Sequence, residues 1–248
     1  TGVPRAPMDD AVGRYHRCMQ FFNADATRTA LPFDRLIPAL RERFAGGCEV
    51  PPRHVHEITS PVGEAGGDAA SRRMTSLIMP AWLAGKYYGV KIVNIAPGNA
   101  KRGLPGLHGT YLLFDGRRGV PLAHIDGDQI TARRTAAASA LAGSYLARTD
   151  ASHLLLVGAG RVARLLPAAW RAVRSIEQVT VWARRPEEAQ ALVRELQAEG
   201  FQASASTDLQ AACAVALAIG LAGDAVDHAA TAAAAEHHRI RPLQRLDA

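Results

Sequence analysis

Residues 154–163 read LLLVGAGRVA, and they carry the strongest structural signal in the chain. The four apolar residues predict a buried strand, and a helical pattern follows from Gly160 to Val173. Between them, Gly158, Gly160 and Ala163 form the pattern G-x-G-x-x-A, in which small residues permit a tight turn and close packing of helix on strand. This order of strand, turn and helix is typical of a Rossmann-type unit.

The same loop predicts a ligand. A helix that begins at such a turn presents free backbone amides, which can hold a pyrophosphate. We therefore expect a dinucleotide to bind here, and a tight turn without any ligand is the alternative. The residues assigned to this binding loop are Gly158, Gly160, Arg161, Val162 and Ala163.

The end of the next strand bears on which dinucleotide binds. Residues 179–182 read VTVW and are followed by Ala183, Arg184 and Arg185. A site selective for NAD usually has an acidic residue at this strand end, which binds the ribose hydroxyls. Two guanidinium groups instead suit a phosphate, which they can bind with paired hydrogen bonds. The sequence therefore favours NADP over NAD. The alternative is that both arginines only cover a solvated strand end.

The elements on either side of the loop predict two domains. From Asp128 onward, helices and strands alternate, which is typical of a parallel sheet with crossover helices. Before it, a helix around residues 36–44 precedes several strands with few helices, which suggests an antiparallel or mixed sheet. We assign no element before Leu36. The strands are expected near residues 53–59, 74–82, 87–96, 108–115 and 120–126.

We therefore predict an α/β protein with a Rossmann-type doubly wound parallel sheet and an α+β domain. Residues 1–133 would form the α+β domain, for substrate binding and dimerisation, and residues 134–248 the NAD(P)-binding domain. The stretch 211–248 is rich in Ala, His and Arg and contains no strand bounded by turns. We thus expect an incomplete Rossmann sheet with an atypical, truncated C-terminus.

The composition of the chain indicates which kinds of ligand and location suit it. The 248 residues carry a net charge of +6, from arginines that are scattered singly and in pairs. This charge suits an anionic small ligand and gives no support for nucleic-acid binding. The longest apolar run, residues 211–222, is shorter than the ~20 residues of a membrane span. Three distant cysteines and no visible signal peptide predict a cytoplasmic protein.

The first domain has two basic features that could bind a ligand, Lys91 and the pair His54 and His56. Lys91 lies in the stretch VKIVNI, which is apolar on both faces, and a buried ammonium is costly unless an anion meets it. It could hold a substrate carboxylate, or it could form a structural salt bridge or reach water at a strand edge. His54 and His56 share one strand face, but no further ligand pattern accompanies them, so we expect no metal site.

Several motifs together resemble the ornithine cyclodeaminase/mu-crystallin family. The motifs are GVKIVN at 89–94, PGN at 97–99, GLP at 103–105, YLLFD at 111–115, ITARRTAAAS at 130–139 and PPR at 51–53. The resemblance extends from about Leu31 to Leu209, with the glycine-rich loop in its expected place. It implies a homodimer in which each chain joins a substrate and dimerisation domain to a Rossmann domain.

The resemblance also implies site residues and a reaction. Arg53, Lys91 and Arg134 would hold the carboxylate of a small amino- or imino-acid substrate, with the lysine beside the reacting carbon. The activity would be hydride transfer, dependent on NADP or NAD, at the carbon next to that carboxylate. The cofactor performs the redox step and the protein orients the substrate.

Three functions remain open at this point. An ornithine cyclodeaminase needs an anionic group for the side-chain amine and a base for the α-amine, and neither is evident in the sequence. In the family, a later loop supplies an aspartate that has no match here, and this difference favours a ketimine or pyrroline-2-carboxylate reductase. A non-catalytic NADP-binding protein or a degenerate family member is the third possibility.

Overall fold

The computed structural model describes residues 19–60, 73–215 and 218–221. The chain forms two compact units. The first comprises Thr1–Ala30 and Gly46–Thr131, and the second comprises Leu31–Ala45 and Ala132–Ala248. Each unit is built on one sheet, and each is described by itself below.

A six-stranded mixed sheet forms the first unit, in the order β1-β6-β5-β4-β3-β2. Strands β2 to β6 pair with one another in an antiparallel arrangement, and β1 adds to β6 in parallel. The predicted strands and the mixed sheet are confirmed. The strands are β1 (Gln20–Phe22), β2 (His54–Thr59), β3 (Arg73–Leu83), β4 (Tyr87–Ile95), β5 (Leu107–Asp115) and β6 (Pro121–Asp126), with helix α1 (Ala24–Ala30) and a 3₁₀ helix (Pro97–Arg102).

Tight turns set the register of these strands. Gly85 joins β3 to β4 with a φ of 68°, which glycine adopts without strain. Between β5 and β6, the Asp115 carboxylate accepts hydrogen bonds from the amides of Arg117 and Arg118, at 2.9 and 2.8 Å. These two hydrogen bonds are the main cause that lowers the pKa of Asp115. Its side chain is therefore committed to the turn.

The register places one row of residues across the sheet. Met79 of β3 pairs with Lys91 of β4, which pairs with Tyr111 of β5, which in turn pairs with Ile125 of β6. Directly paired residues share a face of the sheet, and successive residues along a strand alternate between faces. We call the face that holds this row the lysine face, and the other the opposite face.

Two glycines allow the start of helix α3 (Gly127–Leu146) to lie against strand β5. A Cβ added at Gly127 would overlap the backbone at Gly109 and lie 2.7 Å from the Cα of Thr110. Because backbone atoms cannot move aside as a flexible side chain can, only a glycine fits here. Asp126, just before the helix, accepts a hydrogen bond of 2.7 Å from the amide of Gln129.

Replacing Gly127 with alanine is therefore expected to destabilise the protein by about 1–3 kcal/mol, as overpacking of a close contact does. Urea denaturation followed by circular dichroism measures the change. Gly46→Ala is the matched control, because a Cβ there would meet nothing within 4 Å. Equal unfolding midpoints for the two variants would contradict the close approach of helix and strand.

A four-stranded parallel sheet forms the second unit, in the order β10-β7-β8-β9. Alternate strand residues such as Leu154, Leu156 and Val181 are fully buried in the main core. Leu155 lies in a second cluster with Ala212 and Cys213. The elements are β7 (His153–Val157), β8 (Gln178–Trp182), β9 (Gln202–Ser206), β10 (Ala218–Leu221), α2 (Phe33–Gly46), α4 (Leu166–Arg171), α5 (Pro186–Ala198), α6 (Leu209–Val215) and a 3₁₀ helix (Ala163–Leu165).

The parallel, Rossmann-type sheet is thus confirmed, with one correction. The sequence pattern predicts no strand in residues 211–248, yet β10 pairs in parallel with β7, from Ala218 opposite Leu154 to Leu221 opposite Val157. Strands of parallel sheets read as short apolar runs without alternation, and this run is hidden in an alanine-rich stretch. The other expectations about the C-terminus concern residues 222–248, which lie outside the described residues.

Helix α2 precedes most of the first unit in sequence but belongs to the second. Arg133 of helix α3 anchors it: its Nε donates a hydrogen bond of 2.8 Å to the carbonyl of Leu31, and its guanidinium lies 4.4 Å from the centre of the Phe33 ring. Arg133 is 8% exposed.

Of the helices in the described segments, none is both long and apolar enough to cross a membrane.

Candidate functional site

The glycine-rich loop begins directly at the end of strand β7. Gly158 has a φ of 112°, in a region that residues with a side chain rarely adopt. Its amide donates a hydrogen bond of 2.7 Å to the carbonyl of Trp182, at the end of the neighbouring strand β8. The glycine therefore holds a sharp turn next to the point where both strands end.

Space is open in front of the next glycine. A Cβ added at Gly160 would meet nothing within 4 Å, and Gly160 itself is exposed. The first hydrogen bond of the following turn runs from the Arg164 amide to the Gly160 carbonyl, at 3.2 Å. The amides before Arg164 thus open a helical segment, where an anion is stabilised. The turn is therefore open on the side to which a Cβ at Gly160 would point.

The helix after the loop is shorter than predicted. Residues 163–165 form a 3₁₀ turn, and the α-helix runs only from Leu166 to Arg171. Ala163 is completely buried against the core, so its small side chain allows the close packing expected at this position. Arg161 and Val162 lie between the open turn and this buried alanine, exposed and half-buried respectively.

Arg184 and Arg185 lie at the end of strand β8, and both are exposed. Arg185 is the N-cap residue of helix α5 and forms an ion pair of 3.3 Å with Glu188. An ion pair so exposed contributes little to stability, so Arg185 can exchange this partner for a ligand phosphate. Both guanidinium groups are thus available at the strand end where a dinucleotide ribose would bind.

Lys91 occupies the middle of strand β4 in the first unit, half-buried on the lysine face. Its direct neighbours on adjacent strands are Met79 and Tyr111. Along its own strand, the same face carries Gly89 and Val93, both buried. Lys91 therefore lies in a largely apolar part of the lysine face.

Arg53 extends the row that contains Lys91. It immediately precedes β2, whose first residue His54 pairs with Ile78, so the register places Arg53 opposite Met79. Two strand spacings, or about 10 Å, then separate the backbones of Arg53 and Lys91. Arg53 is exposed. Both long cationic side chains therefore belong to the lysine face.

Arg134 lies on helix α3 in the second unit and is exposed. Its sequence neighbour Arg133 is buried and bound to the carbonyl of Leu31. The two adjacent arginines of the motif ITARRTAAAS therefore differ in role. Arg133 holds helix α2, and Arg134 keeps its guanidinium accessible to a ligand.

The carboxylates of the lysine face lie away from Lys91. In the described strands of the first unit, that face carries Glu57 and Asp115. Glu57 is paired with Arg73, and Asp115 binds the amides of its own turn. Asp115 pairs with Tyr87, and Glu57 pairs with Thr75 opposite Ile95, so each lies four positions from Lys91 along the strands. The described strands therefore place no carboxylate beside Lys91 on this face.

Tyr111, which lies next to Lys91 in the row, is not among the site residues predicted from the sequence. Burial, followed by the effect of nearby Cys48, raises the pKa of its phenol. The available signal was the strand alternation, which puts Tyr111 on one face of β5. Its partner on β4 became known only with the register of the sheet. By contrast, His54 and His56 are exposed on the opposite face, away from this row.

Comparison with known proteins gives consistent results. The model of the ornithine cyclodeaminase/mu-crystallin family matches residues 57–236. A Δ1-pyrroline-2-carboxylate reductase from Paracoccus denitrificans is 45% identical over 139 residues, which cover 56% of this chain and 44% of that protein.

Solved structures agree. One is the structure of Thermococcus litoralis Δ1-pyrroline-2-carboxylate reductase in complex with NADH and L-proline. It matches with a TM-score of 0.64 at 28% identity, and the match covers 82% of this chain and 61% of the reductase chain. An archaeal alanine dehydrogenase dimer with bound NAD has a TM-score of 0.59 at 28% identity, with coverages of 79% and 57%. The chain spans about half the length of the curated relatives it matches.

Proposed function

The chain belongs to the ornithine cyclodeaminase/mu-crystallin family, and from this premise we propose that it is an NAD(P)-dependent reductase of a small cyclic imino acid. The Δ1-pyrroline-2-carboxylate type is the one we favour. The alternative within the family, ornithine cyclodeaminase, acts on a substrate with an additional side-chain amine. The character of the lysine face distinguishes the two.

The observation that carries this proposal is the absence of an available carboxylate around Lys91 on the described part of the lysine face. Both acidic residues of that face, Glu57 and Asp115, lie four positions along the strands from the Lys91 row, at opposite ends of the sheet. Burying an ammonium group without a partner is costly, so ornithine would bind poorly at such a surface. A cyclic imino acid has a carboxylate for the cations and an apolar ring for the remaining surface.

The roles of the residues follow from this ligand. Lys91 and Arg53 would bind the carboxylate, and they would thereby fix the orientation of the adjoining carbon. Arg134 would be a third cation for the same carboxylate, an assignment that rests on the family resemblance. The reduced nicotinamide, when bound, supplies the hydride. Holding the reacting carbon in place can account for several kcal/mol of the lowered barrier, up to about 7–11 kcal/mol in the best-oriented systems.

The test measures turnover with the purified chain. We expect Δ1-pyrroline-2-carboxylate to cause oxidation of NADPH or NADH, with proline as the product. The loss of absorbance of the reduced nicotinamide measures this oxidation. Ornithine with the oxidised cofactor is expected to release no ammonia. The reverse pattern would identify a cyclodeaminase. Binding of the reduced cofactor without turnover of either substrate would identify the non-catalytic alternative.

Cofactor preference rests on Arg184 and Arg185. Replacing both with alanine is expected to weaken NADPH binding by at least about tenfold to a hundredfold, the effect of losing even one charged hydrogen bond of about 1.5–3 kcal/mol. Binding of NADH should change by less than about threefold, because the 2′-phosphate is absent. Fluorescence titration of the two reduced cofactors measures both affinities. Arg194→Ala, an exposed arginine on helix α5, is the control, and an equal loss for both cofactors would disprove the assignment.

We also propose that the chain forms a homodimer through the opposite face of the first sheet. Trp82, Tyr88 and Phe114 pack together there, with ring centres 6.4 and 5.5 Å apart. Tyr88 is still 36% exposed, and the apolar residues beside this cluster are only half-buried. A cluster of partly exposed aromatic residues is typical of a protein interface. Light scattering on a sizing column should give the mass of two chains, and Tyr88→Lys should reduce it to one.

A cytoplasmic location completes the proposal. The cysteines of the described residues, Cys48 and Cys213, are both free. Free thiols and a soluble nucleotide cofactor both suit a reducing compartment.

A further inference from the structure

Tyr111 has an unusual contact with the strand beside it. Its hydroxyl lies directly over Gly89 of β4: a Cβ added at Gly89 would overlap that hydroxyl and would lie 2.7 Å from Cζ of the ring. Gly89 does not have a positive φ, so the backbone conformation does not require glycine here. The space that the phenol occupies does require it.

This contact fixes the direction of the tyrosine ring. Tyr111 is the direct partner of Lys91, whereas Gly89 lies two residues earlier on the same strand and the same face. The side chain thus extends from a position opposite Lys91 along the surface of strand β4. Paired residues on neighbouring strands have Cβ atoms about 4.5–5.5 Å apart. The ring therefore begins beside the alkyl chain of Lys91 and covers the sheet next to it.

The phenol ring is also compatible with a substrate that combines a carboxylate with an apolar ring. Burial is the larger of the two causes that raise the pKa of Tyr111, so the phenol is neutral at physiological pH. A neutral ring does not repel a carboxylate held at Lys91. Its neighbours on the lysine face include Met79 of β3, across Lys91, and Leu113 of β5, opposite Gly89. Both are apolar, so the surface that starts at Lys91 continues as a hydrophobic floor.

We propose that Tyr111 determines specificity, because its ring limits the size of the imino acid that fits above Gly89 when the carboxylate is bound at Lys91. This inference rests on the proposed reductase function. A five-membered ring held at Lys91 would end against the tyrosine, and an additional methylene group would have to displace it. The wild-type chain should therefore prefer the five-membered imino acid to its six-membered homologue.

The decisive variant is Tyr111→Ala, which opens the space above Gly89. We compare kcat/KM for Δ1-pyrroline-2-carboxylate and for the six-membered homologue, Δ1-piperideine-2-carboxylate, with the same reduced cofactor. The ratio of the six-membered to the five-membered substrate is expected to rise about tenfold, since one methylene group in an apolar pocket changes specificity by about 10–200-fold. An unchanged ratio would overturn the inference.

Two controls separate the shape of the ring from other effects. Tyr111→Phe keeps the ring and removes only the hydroxyl, so its ratio should stay within about twofold of wild type. Leu112→Ala removes the next side chain along β5, which lies on the opposite face. It should leave the ratio unchanged, even if it lowers stability. A change in Leu112→Ala equal to that in Tyr111→Ala would mean that general loosening of the sheet is responsible.

A binding measurement makes the result independent of turnover. Calorimetric titration of the cofactor-loaded wild type and of Tyr111→Ala with L-proline and with its six-membered homologue gives the same ratio from affinities. If the wild type reduces the imino acid but neither ratio changes in the variant, the role of Tyr111 is refuted and the reductase function stands. If the wild type neither reduces the imino acids nor binds the amino acids, both proposals fail.

Discussion

Replacing Lys91 with methionine is expected to reduce kcat/KM for the cyclic imino acid by two to three orders of magnitude. The variant removes the ammonium from the centre of the row that holds the substrate carboxylate, while it keeps an unbranched side chain suited to the neighbouring Met79 and Tyr111. Loss of one partner from a desolvated charge pair costs about 2–5 kcal/mol. Steady-state oxidation of the reduced cofactor measures the effect.

The same variant should keep its fold and its cofactor. Methionine is close to lysine in length and is unbranched, so the far-ultraviolet circular dichroism spectrum should match that of the wild type. NADPH affinity should also be unchanged. Lys86→Met, at the exposed turn before β4, removes the same charge from the same hairpin and should keep full activity. Equal activity losses in the two variants would show that net charge matters and that Lys91 has no specific role.

The second large effect is expected from Gly160→Val. A side chain at this position meets no protein atom, because a Cβ there has nothing within 4 Å. The folded protein should therefore tolerate valine at a cost within about 0.5 kcal/mol, as for other exposed positions. A pyrophosphate on the loop would lose the space it needs. We expect the dissociation constant for NADPH to rise at least about 100-fold, which corresponds to about 2.7 kcal/mol.

Fluorescence titration and thermal unfolding separate these two consequences. Gly46→Val, at the end of helix α2, is the matched control, because a Cβ at that glycine is equally free of contacts. It should change neither cofactor affinity nor stability by more than a small amount. Retention of normal NADPH affinity in Gly160→Val would show that the dinucleotide does not lie on this loop.

Much of the fold could be predicted because the chain marks its own boundaries. Strands β2 to β6 agree with the predicted ranges to within one or two residues, since glycine and aspartate turns separate apolar runs. The glycine-rich loop and β7 were equally clear. The elements missed were β1 and α1, of three and seven residues, which are too short for their periodicity to be recognised. Strand β10 was missed because no turn residues separate it from an alanine-rich run.

The candidate site was less accessible from sequence. Local patterns and the family resemblance select Arg53, Lys91 and Arg134, but they give no positions in space. Long-range strand pairing puts Arg53 two strands from Lys91, and a pattern along one strand contains no information about its partner. Likewise, the motif contains two adjacent arginines, and only packing shows that Arg133 is buried while Arg134 is exposed.

The contact between the Tyr111 phenol and Gly89 limits which residues can stand at these two positions in related sequences. Any side chain at position 89 would collide with the tyrosine, and a smaller residue at position 111 would leave a gap over the glycine. Positions 89 and 111 are therefore expected to change together during evolution, with a small residue at one wherever a large one stands at the other. A single mutation at either position disturbs this packing, so a change of substrate size through position 111 is expected to be followed by a compensating change at position 89.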